Sequence, residues 1–423
     1  MSRKMLVMFA ASLGFFFATA TTFTSLGYVL YTMVADLGWS QTLAGMSFSL
    51  LGLACGLSSP LPPLMMRAMG TRLTMAIGGL VLAAGFFLAS IVHGIGVFFL
   101  ATTLMGIGFS IVAPSPAVYL LATWFPDRSA RMIGFYFMAG ALGGVVGPLI
   151  VNMIVTSTGS WRMHWLAMAV SALALSAVLF ACIRDAVKVE TTDQVRNAGA
   201  HRSDADAPLP ALWTVSQAIR MPSFLLLALA MMVVQTIVTT MHSVLVTHVA
   251  SLGSGTSAAG AMAMSLLALT GTAAKGVTGA LTERVDAKLV LVLGLGLQCA
   301  AVALLCLTAT PGWVYAFALL FGAGWGLSWL SAHILLLRYF GAAIAGEMVA
   351  VATMATTFAV LGPLSAGWAA DTTGSFVPMF AVIAVLLGIV TFTSAIFLRA
   401  PGAAPRTRPL DEGLGGVVLE PAE

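Results

Sequence analysis

Charge is what this chain has least of. Lys, Arg, Asp and Glu make up 8% of its 423 residues, against about 25% in soluble domains. No carboxylate falls well inside any of its apolar stretches. That scarcity excludes an ordinary soluble domain, and a net charge of only +4 gives no footing for nucleic-acid binding. Cysteine is scarce too. Cys55, Cys182, Cys299 and Cys306 lie within apolar stretches at no metal-ligand spacing, which points to buried packing and implies neither a disulfide nor a metal site. No nucleotide motif, catalytic triad or metal cluster is present, so neither an enzyme nor a cofactor is expected. The glycine clusters "FGAGWG" and "AGALGGVVGP" follow no strand and lie in apolar helices, where they serve close helix packing rather than phosphate binding.

What is present is apolar. The chain is 60% hydrophobic with a mean hydropathy of +1.01, the composition of an integral membrane protein. Runs long enough to cross a hydrocarbon core about 30 Å thick recur along it. Lipid offers the backbone no hydrogen-bond partners, so the runs are expected to be helices, and the period-2 alternation of a membrane barrel is missing. Twelve spans are predicted, near 5–33, 41–66, 73–92, 95–122, 131–155, 163–184, 222–249, 256–281, 289–308, 312–337, 346–370 and 375–399. Of the nineteen Lys and Arg residues, seventeen fall on one side of this arrangement. The positive-inside rule makes that side cytoplasmic, together with both termini. Arg162 alone lies on the other side, and Lys275 alone lies well inside a span. "MSRK" and the apolar run to "ATA" mimic a secretory leader, but the run continues to Val34, and its removal would leave eleven spans.

The halves repeat. Trp124–Phe125 and Gly147–Pro148 recur as Tyr339–Phe340 and Gly362–Pro363 at an offset of 215, and Gly106 and Gly108 recur as Gly322 and Gly324 at 216. The expected fold class is an all-α membrane protein of twelve transmembrane helices in two pseudo-symmetric six-helix bundles. These occupy 1–184 and 222–399, with a polar cytoplasmic linker at 185–221 and a disordered tail at 400–423. Transporters built on such repeats commonly place the substrate site between the halves, near the bilayer midplane.

The loop "MMRAMGTR" and its counterpart "GALTERVDAK" resemble the short loop signature of the major facilitator superfamily. The second copy keeps Gly279, Glu283, Arg284 and Lys288. The first keeps Gly70 and Arg72 but has Arg67 where the acid belongs, which puts the charge clasp of that gating loop in doubt. "WFPDRSARMIG", the glycine-rich fifth span and "GPLSAGWAADTTGSF" are similar to the monocarboxylate and oxalate:formate transporter branch of that superfamily. The resemblance implies that a cation in span eight, four residues before a glycine and eight before the loop acid, binds the substrate carboxylate; Lys275, Gly279 and Glu283 match that spacing.

Lys275 also stands out without the resemblance. A charged lysine near a helix centre costs about 2.5–3.5 kcal/mol on insertion scales and usually faces a water-filled cavity. The competing reading is snorkelling, yet eight helical residues rise about 12 Å, farther than the lysine arm reaches. Relatives in the proton-coupled monocarboxylate group tend to carry an acid where this chain has Gly271, and the oxalate branch has a second lysine in span eleven, where this chain has no cation. One uncompensated positive charge suits a monoanion better than a dianion. The resemblance adds Tyr119 in span four as a substrate-contacting aromatic and aromatic positions in span ten, where Trp325, Trp329 and His333 share a helical face. Tyr28 and Tyr31 in span one are further candidates. Packing accounts for each of these aromatics equally simply. His333 and His242 are the candidate proton carriers.

The sequence therefore predicts a transporter of a small organic monocarboxylate, working by alternating access in a bacterial inner membrane. Its expected partners are lipid, the transported anion and protons, and it is expected to be a monomer. Efflux of an uncharged or hydrophobic compound, with Lys275 structural, is the first rival. A non-transporting membrane sensor is the second.

Overall fold

The structure is a computed structural model that describes residues 3–125, 129–185, 213–253, 255–307, 310, 312–341 and 344–402. Most of the expected linker (186–212) and most of the expected tail (403–423) lie outside the described residues.

Among the described residues the chain is helical. In order it forms α1 Arg3–Thr21, α2 Phe23–Leu37, α3 Gln41–Leu57, α4 Leu61–Ser90, α5 Ile95–Val112, α6 Ser115–Trp124, α7 Ser129–Thr158 and α8 Trp161–Cys182. It continues with α9 Val215–Ala218, α10 Pro222–Ser251, α11 Ser257–Leu281, α12 Ala287–Leu307, α13 Gly312–Phe340, α14 Ala345–Ala355, α15 Leu361–Thr373 and α16 Val377–Phe397. Eleven stretches are long and apolar enough to cross a membrane, and α3 is a shorter apolar helix. The chain is thus an all-α membrane protein with eleven to twelve spanning segments.

Several expected spans are broken where the local chemistry requires it. The first divides at Thr22 into α1 and α2. The second is cut by Pro60, Pro62 and Pro63, whose rings and missing N–H groups end α3 and restart the helix as α4. The loop expected between the second and third spans shrinks to Gly70, whose φ of 79° and ψ of 165° turn the helix direction inside α4. A side chain would be strained there. The fourth span breaks at Ala113–Pro114. The eleventh passes through a 3₁₀ stretch, Thr356–Val360, just ahead of Pro363.

The internal repeat extends beyond the residues that announced it. A Cβ on Gly147 would overlap the carbonyl oxygen of Ala20 and lie 2.6 Å from Thr24 Oγ1; one on Gly362 would crowd Thr236 O and Thr240 Oγ1 in the same way. Ala20 and Thr24 are related to Thr236 and Thr240 by the repeat offset of 216. Both glycine–proline pairs therefore let one helix lie directly on its neighbour at equivalent places in the two halves. Gly27 on α2 packs against the carbonyl of His242 on α10 with no room for a Cβ. Since 27 and 242 are themselves repeat-related, α2 and α10 cross where the pseudo-twofold passes.

One end of the molecule carries Arg3, Lys4, Arg72, Arg284, Lys288 and Arg399 and is here termed the basic end. Ties between first-half and second-half helices gather toward the opposite end. There Tyr28 Oη meets Ser257 Oγ at 3.2 Å, Ser49 Oγ donates to Val360 O, and Gly45 lies on Pro363. Asp371 accepts the backbone N–H groups of Gln41 (2.8 Å) and Thr42 (2.7 Å). Its carboxylate sits on the N-terminus of α3, where the helix dipole favours a negative charge. Arg162, the cation on this end, donates to Val92 O at 2.6 Å and stacks on Trp161, so it satisfies chain carbonyls at the end of α4.

The Asp371 clasp predicts a shift in population. Loss of a helix N-terminal acceptor costs roughly 0.5–2 kcal/mol, so Asp371→Ala should open this end several-fold more often. With the four native cysteines replaced, a cysteine at Ser257 should be labelled correspondingly faster by an impermeant maleimide. Unchanged labelling would show that the clasp does not hold this end shut.

Candidate substrate-binding site

The site begins with two glycines. A Cβ on Gly322 would crowd Leu267 O, and one on Gly326 would lie 2.5 Å from Ala274 Cβ and 2.9 Å from Lys275 N. This small-xxx-small stripe seats α13 directly against α11. Trp325 lies between the two glycines in sequence and reaches across to α11. Its six-membered ring fills the space over Gly271, where a Cβ would come within 2.7 Å of Cε3. One turn on, Lys275 lays its ammonium over that ring, with Nζ 3.7 Å from the centroid. Such a cation–π contact contributes about 0.5–2 kcal/mol depending on desolvation. Gly271 therefore does more than omit an acid: any side chain there would evict the aromatic face that Lys275 rests on.

Lys275 and Trp325 form one wall of a cavity of about 470 Å³ between the two halves. The wall from α10, α11 and α13 adds Gln235, Thr239, His242, Thr272 and Trp329. The facing wall, from α1, α2, α3, α5 and α7, presents Phe15, Phe23, Phe48, Phe109 and Phe137. Toward the end opposite the basic one, the walls meet where Gly144 on α7 touches Ala268 on α11 and Thr24 on α2. Toward the basic end, Gly279, one turn along from Lys275, and Gly134 on α7 have nothing within 4 Å of their Cβ positions.

The expected site residues divide. Lys275, Trp325, Trp329 and His242 come together on the cavity wall. His242 binds Val238 O through Nδ1 at 2.7 Å, and its ring centroid lies 6.3 Å from that of Trp325. His333 is set apart: its Nδ1 contacts Trp329 O at 2.7 Å, its ring packs 5.1 Å from Trp329, and it is not a lining residue. Tyr28 and Tyr31 line a different cavity at the opposite end, beside Asp36 and Arg162, where Tyr28 donates to Asn152 Oδ1 at 2.7 Å. Tyr119, on the far side of the Pro114 break, is 51% exposed and does not line the cavity.

The loop residues separate similarly. Arg72 donates to Phe180 O at 2.6 Å and stacks on the Phe180 ring at 3.8 Å. The acid displaced by Arg67 has a stand-in: Asp185, just past α8, accepts Thr71 N–H at 3.0 and 3.2 Å through its two oxygens, at the turn made by Gly70. In the second copy, Asp286 accepts Lys288 N–H at 3.0 Å and Arg338 donates to Thr282 O at 2.7 Å. Glu283 and Arg284 are exposed.

The sequence pattern of the Major Facilitator Superfamily matches residues 10–360 and again 256–421. A probable L-galactonate transporter of Escherichia coli (strain K12) is 28% identical over 211 residues, 48% of this chain and 46% of that protein. An uncharacterized transporter of Bacillus subtilis (strain 168) is 29% identical over 151 residues, 34% of this chain and 35% of that protein. The chain thus matches less than half the length of these curated relatives. Among solved structures, the nucleoside transporter NupG superposes with a TM-score of 0.72 at 14% identity, covering 93% of this chain and 98% of that one. A bacterial homolog of the human lysosomal transporter Spinster, described as inward-facing and occupied, gives 0.71 at 13% identity over 92% and 95%. These structural likenesses show the fold.

The packing of Lys275 on Trp325 predicts two separable effects. Trp325→Leu removes the π face and should lower thermal stability by about 1 kcal/mol or more, whereas Trp325→Phe, which keeps a ring, should retain most of it. Gly271→Leu should resemble Trp325→Leu, because the ring is pushed away. Melting curves of the purified variants decide; equal stability of the Leu and Phe variants would remove the cation–π contact from the account.

Proposed function

The chain belongs to the Major Facilitator Superfamily, and from that premise we propose that this secondary transporter carries a small organic monocarboxylate, with Lys275 as its anchor. The observation that supports this is the placement of Lys275. Its ammonium faces a cavity between the halves, rests on an aromatic ring, and has no acidic partner among the described residues. A cation in a low-dielectric site without a counter-charge is a site for an anion. The E. coli relative's probable substrate, galactonate, is itself a monocarboxylate, which accords with the resemblance to the carboxylate-transporting branch. A single cation favours monoanions over dianions.

Alternating access follows from the arrangement of contacts. The excess of Lys and Arg supports a cytoplasmic basic end, with both termini on that side and the protein in a bacterial inner membrane. The cavity then opens inward, and the contacts at Tyr28, Gly45 and Asp371 form the outer closure. Two bundles, 1–184 and 222–399, rock about the α2–α10 crossing at Gly27, with the linker 185–221 on the cytoplasmic side. Substrate biases the equilibrium by binding one state better than the other. The Asp185 cap on Thr71 performs at the first gating loop what Arg67 cannot.

Uptake by proteoliposomes tests the anchor. Lys275→Gln should lower carboxylate uptake at least tenfold without loss of folding, since a hydrogen bond to a charged group is worth about 1.5–3 kcal/mol. Lys275→Arg should retain part of it, because charge persists while geometry changes. Wild-type uptake should be inhibited more by monocarboxylates than by oxalate or succinate. Normal uptake by the Gln variant would remove Lys275 from the site.

The same assay addresses protons. His242, on the cavity wall beside Trp325, is the proposed carrier, with His333 second. If a proton travels with the substrate, an inward proton gradient should stimulate accumulation in wild type and not in His242→Gln. Stimulation that survives in the His242→Gln, His333→Gln double variant would exclude both histidines, and no stimulation in wild type would mean uniport or exchange.

A further inference from the structure

The two walls of the cavity differ in chemistry, and the difference bears on the part of the substrate that Lys275 does not hold. We propose that the substrate body is a compact aromatic or similarly apolar group, so that the ligand is an arylalkanoate-type monocarboxylate rather than a polyhydroxylated acid. The proposal rests on the reading of Lys275 as the carboxylate anchor.

The first observation is the phenyl wall. Its rings form one connected array. Phe48 meets Phe23 with centroids 6.0 Å apart, Phe23 meets Phe109 edge-on at 5.2 Å and 90°, Phe109 meets Phe15 at 6.3 Å, and Phe15 meets Phe137 at 5.8 Å. Edge-to-face arrays of this kind offer both ring faces and ring edges to an incoming ring, which is the geometry aromatic pairs prefer. Space for the array is made in the backbone: a Cβ on Gly140 would overlap the ring of Phe15. Phe15 and Thr19 lie along one face of α1, and Phe23, Phe48, Phe109 and Phe137 are brought to it by α2, α3, α5 and α7. Five rings from five helices around a cavity of ligand size are a wall for an apolar body.

The second observation is how little polar capacity remains. A sugar acid buries several hydroxyls, and each must regain the hydrogen bonds it gave to water. Three of the four threonines lining the cavity have already spent their hydrogens on their own helices. Thr24 donates to Thr19 O at 2.9 Å, Thr239 to Gln235 O at 3.0 Å, and Thr272 to Ala268 O at 2.8 Å. The fourth, Thr19, has an Oγ1 that is buried and without a hydrogen-bond partner. His242 has its Nδ1 engaged by Val238 O. Among the described lining residues, the side-chain donors left uncommitted and accessible are the Lys275 ammonium, the Gln235 amide and the Trp329 indole N–H; Trp325 Nε1 also lacks a partner but is buried. That suffices for a carboxylate and two further polar substituents, and falls short of the five hydroxyls of a polyol chain such as galactonate's.

Equilibrium binding to the purified full-length protein in lipid nanodiscs tests the proposal, with radiolabelled phenylacetate as the probe. L-galactonate (a carboxylate with a polyol body) and phenylacetamide (the same ring without the charge) serve as competitors. Phenylacetate should bind at least tenfold more tightly than either. Phe109→Leu should lower the ratio of phenylacetate to propionate affinity roughly three- to tenfold, the scale of an aromatic pair. If that variant does not fold, Phe137→Leu, at an exposed ring, should lower the same ratio. Galactonate binding as tight as phenylacetate, or an unchanged ratio in the folded variant, overturns the apolar body; if Lys275→Gln still abolishes binding, the anchor stands. Phenylacetamide binding as tightly as phenylacetate overturns the anchor, and this proposal with it.

Discussion

A single ammonium group over an indole ring governs the centre of this molecule. Lys275 cannot be solvated by lipid, and no carboxylate among the described residues neutralises it. Its partner is the π face of Trp325, 3.7 Å away. That contact in turn requires the backbone around it to be small: Gly271 under the ring, and Gly322 and Gly326 to let α13 lie on α11. A π face stabilises a cation without cancelling its charge. The site therefore remains electropositive and open to an anion, where a neighbouring carboxylate would have made it a closed ion pair. Glycine at 271 is best understood as the condition for this choice.

The rest of the fold places that charge between two halves of similar design. Repeat-related residues perform related tasks: Gly147 and Gly362 each bring a proline-containing helix onto its neighbour, and Gly27 and His242 mark the crossing of repeat-related helices. Function resides in the departures from symmetry. The cation and most of the polar side chains belong to one half, and the phenyl array to the other. Inter-half contacts, including the Asp371 cap on α3, collect at one end, and the proposed opening lies at the other. An amphiphilic anion would touch both walls at once, which gives a ligand a means of drawing the halves together.

Much of this was legible in the sequence. Composition and hydropathy sufficed for the helical membrane fold, and a lone cation in a chain this poor in charge marked itself. Trp325 and Trp329 followed from helical spacing. What was not legible has identifiable causes. Spacing reveals which face of a helix a residue is on and not its depth, so it does not separate Tyr28 and Tyr31 from Lys275, although they line the cavity at the opposite end. Pro114 starts a new helix, which carries Tyr119 off the cavity wall. Asp185 caps Thr71 from 114 residues away, a partnership no local pattern encodes. The phenyl wall was hidden by abundance: Phe15, Thr19 and Phe23 have helical spacing, but 24 phenylalanines in an apolar chain make such spacing commonplace.

The central claim is that an anion's carboxylate lies at Lys275 while its body lies against the phenyl wall. The most direct measurement is a structure of the protein with 4-bromophenylacetate, the bromine located by its anomalous signal. Bromine is expected among Phe23, Phe109 and Phe15, with the carboxylate about 2.7–2.9 Å from Lys275 Nζ. Bromine at the Lys275 end of the cavity, or a ligand seated instead beside Arg162 at the opposite end, would contradict it.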